Sequence, residues 1–156
     1  MSKFSTDTLK NTIKSQALEF GFSAAMITSP ESIPEAKERL ENFLHNGFQG
    51  QMEWLEKRKD WRSNPKKLWP NVRSIIMLTE NYTPKDDALS GLKRTECGNI
   101  SVYAHGNDYH DLMKKRLKKY GGWLVNQTGA EIKVFVDTAP VMEKPLAQTA
   151  GLGWQG

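Results

Sequence analysis

Cysteine is almost absent from this chain: Cys97 stands alone among 156 residues. A single thiol forms no intramolecular disulfide, and by itself it ligates neither an iron–sulfur cluster nor a structural zinc. Long apolar runs are missing as well. The longest, AAMI (24–27) and IIML (75–78), hold about four residues each, against the ~20 that a membrane-spanning helix needs. The opening MSKFSTDTLK has no apolar stretch of the kind a signal peptide carries, so the cytoplasm is the expected compartment. Repeats and low-complexity tracts are lacking too, which excludes solenoids and flexible linkers.

What is present suits one globular domain. Hydrophobic residues at 38% and charged residues at 26% allow a core without staples, whereas a disordered chain would carry fewer large apolar groups. Five tryptophans are many for this length; they serve a core, or line a site for a large flat ligand. Charge is lopsided. Residues 1–56 carry 5 basic and 8 acidic groups, net −3, and residues 57–156 carry 17 and 10, net +7. The stretches KRKDWRSNPKKLWPNVR (57–73) and KKRLKK (114–119) hold most of the basic residues. A basic face implies a polyanionic partner such as RNA, or no more than solvated lysines on a helix.

Periodicity predicts alternating helices and strands. Leu9, Ile13, Ala17 and Phe20 recur at helical spacing, with Thr6 or Asp7 as cap and Gly21 as stop. A second helix starts near Pro34 and turns Ala36, Leu40, Phe43 and Leu44 inward. QMEWLEKR (51–58) reads as a short helix. A long one from Asp108 places Tyr109, Leu112 or Met113, Leu117, Tyr120 and Leu124 on one side and Lys114, Lys115, Lys118 and Lys119 largely on the other, with Gly121 and Gly122 weakening its last turns. SAAMIT (23–28), RSIIMLTENY (73–82), ISVYAH (100–105) and EIKVFVD (131–137) read as strands, and MEKPLAQTAG (142–151) as a short final helix. The fold class is therefore α/β or α+β: a layered mixed sheet flanked by helices in a single domain.

Four places carry residues suited to chemistry. Asp137 closes a predicted strand, where a carboxyl group acts as a proton donor or simply caps the following helix. HGNDYH (105–110) offers His105, Asp108 and His110 as metal ligands, but its spacing matches no zinc pattern, and Asn107 or Asp108 as a helix cap explains the same residues. WRSNPKKLWP (61–70) interleaves Trp61 and Trp69 with Arg62, Lys66 and Lys67. That mixture serves base stacking and phosphate contact, a cofactor's polar edge held by Arg62, or a core with lysines around it. AGLGW (150–154) lets backbone approach a ligand closely, or is a plain turn.

Taken in order, FGFSAAMIT, WPNVRSIIML, YAHGNDYHDLMKKRLKK, VDTAPVMEKPLA and AGLGWQG give the chain, over about residues 10 to 156, a resemblance to the N-terminal half of the epoxyqueuosine reductases. The resemblance implies an oxidoreductase that reduces the epoxide of epoxyqueuosine to queuosine at the tRNA wobble position. It further implies base-off cobalamin, two [4Fe–4S] clusters in a C-terminal ferredoxin-like module, tRNA bound by its anticodon loop, an external electron donor and a monomer. Asp137 matches the family's proton donor, and Arg62 an arginine that contacts cobalamin. Gly153 and Trp154 match the stretch beside the corrin. Lys144 stands where arginine is common, keeping the charge and losing the planar fork. Val102 replaces another cofactor-contacting arginine, leaving only main-chain contact. The Cys-x-x-Cys runs of the iron–sulfur module are absent from these residues. The expectation is thus that residues 1–156 form the cobalamin- and substrate-binding portion, the iron–sulfur module being absent. The alternative is a non-catalytic truncated fragment or tRNA-binding module unable to receive electrons.

Overall fold

The computed structural model describes residues 5–154, so Gln155 and Gly156 of the AGLGWQG motif lie outside the described residues. Helix α1 (Thr6–Glu19) opens the fold; Ser5, rather than Thr6 or Asp7, is its cap, accepting the Thr8 backbone N–H. Strand β1 (Ala24–Thr28) and helix α2 (Ala36–His45) follow, then two short helices, α3 (Lys59–Ser63) and α4 (Pro65–Leu68), and strand β2 (Ile75–Thr79). A long polar loop leads to α5 (Tyr109–Thr128), and α6 (Glu143–Thr149) is last.

The two strands pair antiparallel, Ala24 opposite Thr79 and Thr28 opposite Ile75, and α2 to α4 lie within their connection. Alternation sorts their side chains to two faces. Ala25, Ile27, Ile76 and Leu78 join the larger core, built with Ile13 and Ala17 of α1 and Leu117, Tyr120 and Leu124 of α5. Ile75 and Met77 face the other way, against Ile33, Ala36, Met142 and Leu146. Helices therefore cover both faces of the strand pair, as the continuous Ile-Ile-Met-Leu run implies. Leu146, 1% exposed, holds α6 in place; truncating such a side chain to alanine typically costs ~2–5 kcal/mol.

Two predicted strands do not form. Residues 100–105 contain a 3₁₀ turn, Val102–Ala104, and residues 131–137 pair with no strand among the described residues. Alternation in 131–137 does report facing, since Val136 is buried and Ile132 packs on the core. A strand, however, needs a neighbouring backbone to accept and donate hydrogen bonds, and side-chain pattern carries no information on that. The α/β layering stands, with an antiparallel pair as its sheet.

Candidate functional site

The N-terminus of α5 and the 137–143 segment meet at the surface. Asp108 caps α5: its Oδ1 accepts the His110 backbone N–H at 2.8 Å and lies 2.7 Å from His110 Nδ1. These bonds, the backbone one first, hold the Asp108 carboxyl below the usual carboxylate range. With the cap fixed, Tyr109 and His110 stack at 4.2 Å between ring centroids and lean toward the same acceptor. Tyr109 donates its hydroxyl to Asp137 Oδ2 at 2.5 Å, and His110 Nε2 stands 3.7 Å from that oxygen. The bond to Asp137, then partial burial, pushes the Tyr109 phenol up to about 12, so it stays a donor at neutral pH.

Asp137 itself has φ 52°, one of two non-glycine residues with positive φ among those described. Aspartate tolerates this left-handed region better than most residues, yet such backbone persists only where surrounding contacts hold it. The turn after Asp137 carries the chain into α6, whose first residue is Glu143. Glu143 is half-buried; burial first, then the negative charge of Asp137, raises its carboxyl to about 7. Asp137 caps no helix, because the α6 cap position is Met142, which makes no side-chain capping bond. This removes the simpler of the two sequence readings of Asp137.

The other predicted site residues lie apart from this cluster. Arg62, on α3, sets its guanidinium 5.0 Å over the Trp54 ring, and its buried Nε has no hydrogen-bond partner. Lys144 is exposed on α6; Gly153 stands in open space and Trp154 is 85% exposed. The structure records no contact joining Arg62, Gly153 or Trp154 to Asp137. An indirect link exists: Glu31 pairs with Lys66 of α4, and the adjacent Ser32 hydroxyl meets Thr149 of α6 at 3.2 Å. His105 bonds the Ile100 carbonyl at 2.9 Å instead of facing Asp108, and no group of three metal-ligating side chains exists among the described residues. Two surface hollows of about 420 Å³ lie elsewhere, one at Trp69 and Lys133, the other at Phe20 and Lys119.

Sequence reasoning singled out HGNDYH without connecting it to Asp137, and it missed Glu143. Only the capping aspartate at the helix start signals that the two following rings share an orientation. Nothing in the sequence shows which carboxyl they meet.

Fold and site together define a layered α/β domain that presents a hydrogen-bonded carboxyl group at its surface. The family profile described as epoxyqueuosine reductase QueG, DUF1730, matches residues 62–138. The chain is 37% identical over 150 residues to the epoxyqueuosine reductase of Escherichia coli (strain K12), covering 95% of this chain and 39% of that protein. To that of Cellulophaga algicola it is 36% identical over 146 residues, 92% of this chain and 46% of the other. Among solved structures, epoxyqueuosine reductase from Streptococcus thermophilus superposes with a TM-score of 0.77 at 24% identity, over 94% of this chain and 40% of that one. An epoxyqueuosine reductase crystallised with an epoxyqueuosine-modified tRNA-Tyr stem loop also gives 0.77, at 21% identity, over 96% and 40%. This chain belongs to the epoxyqueuosine reductase family. It spans less than half of the length of these curated relatives.

Proposed function

We propose that this chain serves the reduction of epoxyqueuosine to queuosine in tRNA, with Asp137 as the acid that protonates the departing oxygen. Converting an epoxide to an alkene consumes two electrons and two protons and releases water. Oxygen leaves carbon poorly as an anion, so a proton delivered as the C–O bond breaks lowers the barrier, typically by a factor of ~10²–10⁴. The observation that carries the reading is the presentation of Asp137: it is held in left-handed backbone at the surface, bonded to Tyr109 and free of any capping duty. Tyr109 fixes the carboxyl's direction, and the shared position of Tyr109 and His110 beside one oxygen leaves the other, Oδ1, for substrate.

The residues fit cobalamin. Arg62 offers a buried Nε–H with no protein acceptor, suited to an amide or phosphate oxygen; Gly153 leaves room for close approach, and Trp154 presents an open ring. Arg62, Lys144, Gly153 and Trp154 would hold the group. When bound, cobalamin supplies the electrons. The residues do not fit a [4Fe–4S] cluster: Cys97 is one exposed thiol, and each cluster takes four. An external electron donor is part of this reading. The tRNA stem loop bound by a family member, together with the exposed Lys114, Lys115, Lys118 and Lys119, supports an anticodon-loop partner.

The test is single-turnover conversion of an epoxyqueuosine stem loop with cobalamin and a chemical reductant. Asp137→Asn is expected to slow it ~100-fold or more while stem-loop binding persists; unchanged conversion removes the acid role. The single cysteine favours a second reading, a tRNA-binding module without catalysis. An unperturbed cob(II)alamin spectrum on mixing, with tRNA still bound, would establish that one.

A further inference from the structure

Turning one epoxide into an alkene puts two protons on the same oxygen, the first as the ring opens and the second as the resulting hydroxyl leaves as water. One carboxyl group holds one proton, so an acid at Asp137 must be reloaded within each conversion. Substrate at Oδ1 leaves only the Oδ2 side for that. Among the described residues, Tyr109 and His110 stand at Oδ2. Tyr109, its phenol pushed up to about 12, keeps its hydrogen at neutral pH. His110 is built differently. Asp108 Oδ1 accepts its backbone N–H at 2.8 Å and meets its Nδ1 at 2.7 Å, while Nε2 stands 3.7 Å from Asp137 Oδ2. An ionised carboxylate only accepts, so Nδ1 carries the hydrogen and Nε2 is left to gain and lose one. Stacking on Tyr109 at 4.2 Å fixes the plane of the ring, whose side chain is still 34% exposed and open to water. Other titratable residues of the neighbouring segments are Asp111 and Lys114 on α5, Tyr103 and His105 before it, and Glu143 and Lys144 on α6.

We propose that His110, oriented by Asp108, is a positioning residue that acts through Asp137: its Nε2 carries a proton from solvent to that carboxylate between the two donations. This rests on Asp137 being the acid. The step is balanced. His110 imidazolium and Asp137 carboxylate become neutral His110 and Asp137 carboxylic acid, and solvent then returns a proton to Nε2. At 3.7 Å the pair stands just beyond hydrogen-bond reach, about 3.2 Å, so transfer follows a small closure or passes through one water. Rotation about the soft Cβ–Cγ torsion of Asp137 brings the loaded oxygen round to the substrate. Asp108 thus has two duties on one oxygen, capping α5 and setting which ring nitrogen faces the acid.

Two measurements test it. The first is ¹⁵N NMR of the imidazole rings in the intact chain, at a pH where they are neutral. His110 should be the Nδ1–H tautomer, and Asp108→Ala should shift it toward Nε2–H. An Nε2–H ring in the unsubstituted chain, or an Nδ1–H ring that Asp108→Ala leaves in place, overturns the proposal without reference to activity. The second follows single-turnover conversion of the epoxyqueuosine stem loop at fixed pH and ionic strength, with rising concentrations of MES, a buffer acid that does not ligate metals. His110→Phe keeps the ring stack and removes both nitrogens. It should slow conversion about tenfold or more in dilute buffer, and buffer acid should restore most of that loss; His110→Gln should behave alike. A merely structural role gives a slow rate that buffer leaves unchanged, and that result also overturns it. Full activity in Asp137→Asn removes the acid reading and this one with it. An inactive Asp137→Asn beside a His110→Phe as fast as the unsubstituted chain leaves the acid reading standing, and this proposal falls.

Discussion

Glu143 ties the chemistry of one side chain to the pH dependence of the whole fold. Its carboxyl rises from an ordinary 4.5 to about 7 in the folded chain, so the native state holds a proton that the unfolded chain releases. Stability from this group is therefore full below about 4.5 and is lost as pH rises toward 7. Urea unfolding midpoints should fall between pH 5 and pH 7.5, and Glu143→Gln should abolish most of that slope, making the variant the more stable protein above neutrality. Asp108 works in the opposite sense: its lowered carboxyl stabilises above the ordinary aspartate range and loses that effect as pH falls through it. Residue types at this site were legible in the sequence, Asp137 and HGNDYH among them. Their partnership was not, because 28 residues separate Tyr109 from Asp137, and side-chain spacing says nothing about contacts that distant.

Helix α5 shows what an element adds to its residues. It runs unbroken through Gly121 and Gly122, although glycine costs ~1 kcal/mol relative to alanine inside a helix. The two glycines differ in their surroundings. A Cβ at Gly122 meets nothing within 4 Å, whereas one at Gly121 falls 2.3 Å from Ile132 Cδ1. Gly122→Ala should therefore raise stability by about 0.5–1 kcal/mol, seen as a higher thermal midpoint. Gly121→Ala should gain less or nothing, since Ile132 must shift to admit it, and Gly121→Val should destabilise. From sequence the glycine pair is only a weakness; in the fold, Gly121 is the place where α5 and the 131–136 segment pack closely. The apolar side of α5 was readable for the opposite reason: Leu117, Tyr120 and Leu124 follow a period that the helix itself imposes.

At the scale of the molecule, α5 joins the site to the sheet. Arg116 donates to the Gly21 carbonyl at 2.7 Å and pairs with Glu80 at 2.5 Å, fastening the helix to the ends of both strands. Both side chains are about a quarter exposed or a little more, so solvent weakens the pair; Arg116→Ala should cost about 1–2 kcal/mol, measured by urea unfolding. The opposite side of α5 carries Lys114, Lys115, Lys118 and Lys119, all exposed. If these contact tRNA phosphates, stem-loop affinity should drop about tenfold or more between 50 and 200 mM salt. Replacing the four with alanine should flatten that dependence; a salt-independent affinity would remove this surface from the interface.

By itself the sequence determined the helices α1, α2 and α5, the two apolar strands, most inward-facing residues and the placement of the charge. Each of these follows from periodicity or local chemistry within a few residues. Phe43, Tyr109 and Leu112, expected on the inner sides of α2 and α5, are exposed, because helical period sets a side and not the element that covers it. Tertiary structure alone decided that 131–137 would find no strand to pair with among the described residues, that Asp137 would meet Tyr109 rather than cap α6, and that Glu143 would be half-buried. Those outcomes depend on which distant backbone or side chain arrives beside each group, and one-dimensional spacing does not encode it.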